Sequence, residues 1–117
     1  MSPSPSEVTA AIRKLISANR LLRSKLLANE RVLLRAVRLI DGGVSVGQTL
    51  VAVPSVQERR AAEDAVIALY EARHKIREAV IPAAIADGIS VGDIATAFGV
   101  PMDMIVGYAD RVANETR

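Results

Sequence analysis

Side chains that commonly perform catalysis are scarce in this chain of 117 residues. His74 is the one histidine and there is no cysteine, so a zinc site of nitrogen and sulfur ligands has no second ligand. Glu63 and Asp64 are adjacent and cannot face each other on a helix, and Glu71 and Glu78 lie about two turns apart on one face. No nucleophile, base and orienting group can be assembled. We therefore expect no enzyme, no metal site and no cofactor.

Basic side chains are abundant, and their distribution along the chain is uneven. Residues 7–40 contain eight lysines and arginines against two acids, whereas residues 78–117 contain six acids against two arginines. The formal net charge is +2. This asymmetry predicts a polyanionic partner for the first part of the chain, or a head-to-tail contact between copies. The alternative is that the basic residues form an ordinary solvated helix face.

Five residues of the basic regions are candidates for contact with a nucleic acid. Arg59 and Arg60 follow Gln57 in the first turns of the predicted middle helix, and Arg20 and Arg23 lie on the predicted first helix. Arginines that follow phosphates bind in a salt-sensitive way without sequence preference. Because acidic side chains neighbour Arg59 and Arg60, plain surface charge is an equally good interpretation. Only three residues are aromatic, too few for a single-strand stacking platform.

The first helix that must position these residues has a clear start. Ser4 is a suitable N-cap, Pro5 suits the first helical position, and Glu7 completes a capping box. An apolar stripe with alternating spacings of four and three follows. It consists of Val8, Ile12, Leu15, Asn19, Leu22, Leu26, Asn29, Leu33, Ala36 and Ile40.

A second row widens the apolar surface of this helix, namely Ile16, Leu27, Leu34 and Val37. We therefore expect the helix to be buried on more than one side, by the rest of the chain or by another copy. The asparagines within the stripe are the kind of polar residue that sets register in a coiled coil. The helix is predicted to end at residues 41–43 with a length of about 55 Å, which favours a dimer.

The remaining helices are predicted from their caps and breakers. Ser45 caps a short apolar segment that Pro54 stops, and the run from Ser55 to Glu58 is a capping box that opens a long middle helix. Pro82 is predicted to kink or break that helix because it removes a backbone donor. A short helix then continues to a glycine cap at Gly88.

A weak internal repeat relates two of these junctions. Residues 41–48, DGGVSVGQ, resemble residues 86–93, ADGISVGD, at an offset of 45. In both, a helix ends at glycine, a β-branched residue follows, and a serine caps the next helix. The repeat indicates either a duplicated helix-turn-helix or the recurrence of common caps, and the second interpretation is favoured.

The second junction continues into a recognisable pattern. Ala95 is small where two helices cross, Gly99 takes the backbone through a tight turn, and Pro101 suits the start of the next helix. The inward-facing apolar positions are Ile94, Phe98, Val100, Ile105 and Tyr108. This pattern resembles the helix-turn-helix of bacterial and phage DNA-binding proteins over residues 83–112.

The resemblance implies that the chain binds double-stranded DNA with its last helix in the major groove. The implied DNA-binding residues are Ser90, Met102, Asp103, Val106 and Arg111. Base reading commonly uses arginine, lysine, asparagine or glutamine, and the outward face here is acidic and apolar instead. That composition favours an alternative in which the helix-turn-helix docks a protein partner.

Together these observations predict an all-α protein with a long coiled-coil-like N-terminal helix, a long middle helix and a C-terminal helix-turn-helix. Residues 1–5 are predicted to be a disordered tail, 6–81 a basic oligomerisation region and 82–117 the helix-turn-helix unit. The predicted function is DNA binding by a small dimeric transcription regulator, and the alternative is a protein-assembly module. No signal peptide or membrane span is recognised, so the expected location is the cytoplasm, at the nucleoid if DNA is bound.

Overall fold

The computed structural model describes residues 3–115, except for the side chains of Val112 and Glu115. These residues form five helices and no strand. The helices are α1 (Pro5–Asp41), α2 (Val46–Ala52), α3 (Val56–Ala86), α4 (Val91–Phe98) and α5 (Met102–Glu115). The predicted all-α fold, with long first and middle helices, is confirmed, and two short helices, α4 and α5, follow at the C-terminal end.

The chain divides into two compact units. The terminal unit combines the described residues of Met1–Leu15 and Ala72–Arg117, and the central unit is Ile16–Glu71. Thus α4 and α5 belong to the terminal unit and α2 to the central unit, while α1 and α3 contribute to both.

The start of α1 follows from local hydrogen bonding. The Ser4 hydroxyl accepts from the Glu7 backbone N–H at 3.2 Å, and Glu7 Oε2 accepts from the Ser4 N–H at 3.1 Å. This reciprocal pair is the predicted capping box, and Pro5 is the first helical residue as expected. The predicted tail, residues 1–5, therefore includes the start of α1, and Met1 and Ser2 lie outside the described residues.

Half of the residues in the apolar stripe predicted for α1 are half-buried, and the other half are exposed. None of the described residues of α1 is fully buried, and half-buried positions recur at the two spacings of a heptad. They include the predicted Val8, Leu15, Leu22, Asn29 and Ala36, and the unpredicted Ala11, Ala18, Lys25, Val32 and Leu39. The predicted Ile12, Asn19, Leu26, Leu33 and Ile40 are exposed instead.

Every second position of the predicted stripe is therefore displaced by one residue toward the start of the helix. Ala11 and Ala18 lie on the half-buried face where Ile12 and Asn19 were predicted. At these two positions, small side chains let a neighbouring helix approach closely. The second predicted row, Ile16, Leu27, Leu34 and Val37, is also exposed within this chain.

The core of the terminal unit lies between three helices. Ile81 of α3, Ile94 and Ala95 of α4, and Ile105 and Tyr108 of α5 form one buried cluster. Ile81 and Ile105 are its fully buried large side chains. Partly buried residues pack around the cluster, among them the predicted Phe98 and Val100. This cluster fixes α4 and α5 against the end of α3.

Pro82 was predicted to kink or break the middle helix, and the break is wrong because the helix does not end there. Helix α3 continues through Pro82 to Ala86. Proline removes one N–H and therefore one intrahelical hydrogen bond. The neighbouring Ile81 is fully buried in the terminal core, and its packing offsets that loss. The helix ends at Ala86, and the predicted glycine cap follows at Gly88, which has a φ of 86°.

The two junctions of the internal repeat have the same backbone geometry. Gly43 and Gly88 both have positive φ, and Val44 and Ile89 each donate to the carbonyl five residues back, at 2.9 and 3.1 Å. Ser45 and Ser90 have φ, ψ values of −63°, 152° and −67°, 148°. Each serine hydroxyl accepts an N–H three residues on at 3.1 Å. Common ancestry of the two junctions remains a hypothesis.

Within the described residues, no helix combines the length and apolar character needed to cross a lipid bilayer.

One buried polar group in α2 leads to a stability prediction. Thr49 is 3% exposed, and its hydroxyl has no hydrogen-bond partner among the described residues. Such a group costs about 1–3 kcal/mol. We expect Thr49→Val to raise the free energy of unfolding by about 1 kcal/mol, measured by urea denaturation.

The matched control is Thr96→Val in α4. The Thr96 hydroxyl is exposed and donates to the Gly92 carbonyl at 2.9 Å, so its removal is expected to give no gain. Equal stability of Thr49→Val and the natural protein would show that the Thr49 hydroxyl is satisfied in solution.

Candidate nucleic-acid interface

The turn between α4 and α5 is built by one glycine and two backbone hydrogen bonds. Gly99 has φ 64° and ψ 36°, the left-handed conformation that L side chains rarely adopt. Its N–H donates to the Thr96 carbonyl at 3.2 Å, and the Val100 N–H donates to the Ala95 carbonyl at 3.1 Å. Pro101 follows, and α5 begins at Met102. The predicted left-handed turn at Gly99 is therefore present, whereas α5 begins one residue after Pro101, which was predicted to start it.

Burial of one face of α5 leaves the opposite face in solvent. Ile105 and Tyr108 are buried in the terminal core. Met102, Asp103 and Val106, the predicted groove-facing residues, are all exposed. Two of them are apolar, with Met102 55% and Val106 44% exposed. These three side chains offer methyl and thioether groups and a carboxylate, but no amide or guanidinium group.

Arg111 is the positively charged side chain at the far end of this face. Its guanidinium lies 4.3 Å from the centre of the Tyr108 ring, within the range of a cation–π interaction. Tyr108 is itself fixed in the core, so the ring orients a charge that stays exposed. Ser90, the remaining predicted residue of this unit, is exposed and caps α4.

A cleft lined by several arginines lies in the central unit. It has a volume of about 750 Å³ and is lined by side chains from α1, from the α2–α3 turn and from the first turns of α3. Three of its lining residues are arginines, Arg31, Arg35 and Arg60, and Gln57 and Glu58 complete the polar lining. Three guanidinium groups and one carboxylate leave a formal excess of positive charge.

The start of α3 adds to this charge. Val56, Gln57 and Glu58, its first three residues, line the cleft. The first N–H groups of a helix have no carbonyl partner within the helix, and they lie at the positive end of its dipole. The cleft therefore combines arginine side chains with a helix N-terminus, two features that both favour a phosphate group.

The cleft brings together some of the predicted contacts and omits others. Gln57 and Arg60 line it, whereas Arg59 lies 3.8 Å from the Glu63 carboxylate in an exposed pair. Arg20 and Arg23 are exposed on α1 and do not line the cleft. The two predicted groups of residues thus belong to separate units, Ser90 and the α5 residues to one and the arginines to the other.

Arg31 and Arg35 were not among the predicted contacts. They are four residues apart, so they lie on one face of α1, and that spacing is visible in the sequence. What the spacing does not reveal is that this face of α1 borders the start of α3, because the two segments are more than twenty residues apart in the chain.

His74 takes part in a local pair rather than a site. Its Nε2 lies 2.7 Å from Glu78 Oε1, one helical turn on, and both side chains are more than half exposed. Among the residues that the structure describes, no cluster of histidine and acidic side chains has the geometry to hold a metal ion.

No protein-family model, curated protein or solved structure matches this chain.

The α4–α5 turn provides a paired stability test. A Cβ added at Gly99 or at Gly107 meets no atom within 4 Å, and only Gly99 has a positive φ. We expect Gly99→Ala to lower the free energy of unfolding by about 1 kcal/mol, because alanine is strained in the left-handed region. Gly107→Ala, inside α5, is expected to raise it by up to about 1 kcal/mol. Denaturation that leaves the two variants equal would contradict the left-handed turn.

Proposed function

We propose that this protein binds double-stranded DNA as a small dimeric transcription regulator. The observation that carries the proposal is the cleft that is lined by Arg31 and Arg35 of α1 together with Arg60 and the first residues of α3. Phosphate contacts supply most of the affinity of DNA-binding proteins, and arginine is well suited to them because its planar fork can bind two phosphate oxygens. Gln57 adds a side-chain amide that can donate to a phosphate or a base edge.

The helix-turn-helix of the terminal unit supports the same proposal in a different way. Its second helix, α5, presents a free face of the kind that enters the major groove in this class of proteins. On that face, Met102 and Val106 suit the methyl group of thymine, and Asp103 can accept from the amino group of cytosine. Arg111, oriented by Tyr108, is suited to a phosphate at the edge of the groove.

The first experiment measures binding to a random-sequence duplex by fluorescence anisotropy over a range of salt concentrations. Each phosphate contact contributes about 0.9 to the slope of log affinity against log salt. We expect Arg60→Gln to reduce that slope by about 1, and the combined Arg31→Gln, Arg35→Gln and Arg60→Gln variant to reduce it by about 3. The loss should be the same for every DNA sequence.

Arg59→Gln is the matched control for Arg60→Gln. It removes the same charge from the next residue, but Arg59 lies outside the cleft and beside Glu63. A smaller change in the slope is expected for it. Equal slopes for all variants would remove the cleft from the interface, and absence of binding by the natural protein at low salt would refute the proposal.

A second candidate function is docking of a protein partner on α5. The observation that favours it is the exposed pair Met102 and Val106 beside Asp103 and Asp110, a surface with apolar groups and negative charge. Phosphates repel the carboxylates, whereas a basic and apolar protein surface complements them. In this alternative the helix-turn-helix serves as an assembly module.

Asp103→Arg separates the two candidates. If the α5 face enters the groove, this change replaces repulsion by attraction, and the affinity for DNA should rise about tenfold at low salt. The control is Asp41→Arg, an equal charge change at the end of α1 in the central unit. An affinity gain no larger than that of Asp41→Arg would count against groove contact by α5 and favour docking.

A further inference from the structure

The first helix exposes large apolar side chains along one face. In the central unit these are Ile16, Leu26, Leu27, Leu33, Leu34 and Val37, which are 43–53% exposed. We call this set, with Arg23 and Glu30 between its members, the outer face of α1. It is distinct from the half-buried face, since the two sets occupy different positions of the same seven-residue repeat.

The outer face has an ordered arrangement. Ile16, Arg23, Glu30 and Val37 are spaced seven residues apart and form its central line. In a helix with 3.5 residues per turn, Leu26 and Leu33 lie on one side of that line and Leu27 and Leu34 on the other. This strip is about 32 Å long, which corresponds to three heptads.

The charges on the central line are self-complementary in one direction only. In an antiparallel pair of copies centred between Leu26 and Leu27, Arg23 meets the partner's Glu30, and Glu30 meets the partner's Arg23. The same alignment pairs Ile16 with the partner's Val37 at both ends. In a parallel pair in register, Arg23 would meet Arg23 and Glu30 would meet Glu30, and like charges would repel.

A shallow hollow lies along the Leu26 and Leu33 side of the central line. It has a volume of about 730 Å³ and is lined by residues of α1 alone, which include Arg23, Leu26, Leu27 and Glu30 of the outer face and Leu22 and Asn29 of the half-buried face. Interhelical packing in coiled coils inserts a side chain of one helix into a hollow formed by several residues of the other. Leu26 and Leu27 of a second copy would be the side chains to fill it.

We propose that the outer face of α1 binds a second copy of this chain in an antiparallel helix pair. The two copies are related by a two-fold axis, so each one covers the apolar residues on the outer face of the other. Two Arg23–Glu30 ion pairs form between the copies. It is independent of DNA binding, because the cleft arginines Arg31 and Arg35 lie on other positions of the heptad.

The oligomeric state of the DNA-free protein tests the pairing. We expect the natural protein to be a dimer by light scattering and sedimentation equilibrium. The dissociation constant of the dimer should be about 100-fold higher for Leu26→Asp, because this change puts two carboxylates near the two-fold axis. Leu21→Asp is the matched control, because Leu21 is 46% exposed on the same helix and lies outside the outer face. Helix content by circular dichroism shows that both variants fold.

The charge pattern is tested by exchange of the two residues. Arg23→Glu and Glu30→Arg should each weaken the dimer by about tenfold, and the double variant should restore it. Arg23 and Glu30 are seven residues apart, too far for a pair within one helix. Failure of the double variant to restore the dimer would overturn the antiparallel register.

Cysteine cross-linking determines whether the two α1 helices run antiparallel. The chain contains no cysteine, so every cross-link must come from the introduced residues. In the proposed pair, Ile16 of each copy is about 32 Å along the axis from Ile16 of the other. A short bis-maleimide should therefore cross-link an equal mixture of Ile16→Cys and Val37→Cys proteins but neither protein alone. Cross-linking of one variant to itself, or a monomer at all concentrations, would overturn the proposal.

Discussion

Helix α3 buries a face that consists mostly of alanine. Ala62, Ala65 and Ala72 are buried there at spacings of three and seven residues, with Leu69 between the last two. Alanine lets helices approach closely, but each buried methyl group contributes only about 0.8 kcal/mol, against roughly 1.5–3 kcal/mol for a fully buried leucine. The alanines of α3 therefore allow close helix packing, but each one contributes little hydrophobic stabilisation to the fold.

The consequence is that much of the large apolar surface lies outside the chain's own core. Ile81 and Ile105 are the fully buried large side chains among the described residues, while leucines and isoleucines line the outer face of α1. A row of exposed large apolar side chains of this kind is typical of an interaction surface. In the proposed dimer this surface is covered, and each dimer presents two arginine clefts, which raises avidity for a polyanion such as DNA.

The two junctions of the repeat show how similar caps can serve different surroundings. Both begin with the same glycine and serine geometry, but α4 ends at a left-handed Gly99 and returns onto a packed α5, whereas α2 ends at Val53 with φ −126°. At equivalent offsets, Ala95 is buried and Leu50 is 74% exposed. The second junction therefore builds a compact helix pair, and the first opens onto the arginine cleft.

Local chemistry explains why the sequence alone determined the helices and most of the C-terminal core. The caps at Ser4, Ser45 and Ser90 and the glycine turns depend on hydrogen bonds between residues at most five apart. The inward positions Ile94, Ala95, Ile105 and Tyr108 followed from helical periodicity and the glycine turn between them. The identity of the exposed residues on α5 followed from the same periodicity.

Tertiary structure decided the remaining features. The packed face of α1 runs through Ala11 and Ala18 instead of Ile12 and Asn19, and α3 continues past Pro82. The cleft joins Arg31 and Arg35 to Arg60, and Arg60 is the only one of these three that was a predicted contact. In each case the deciding energy comes from the packing of segments distant in the chain, and hydrophobic periodicity within one helix does not identify which neighbour that helix will meet.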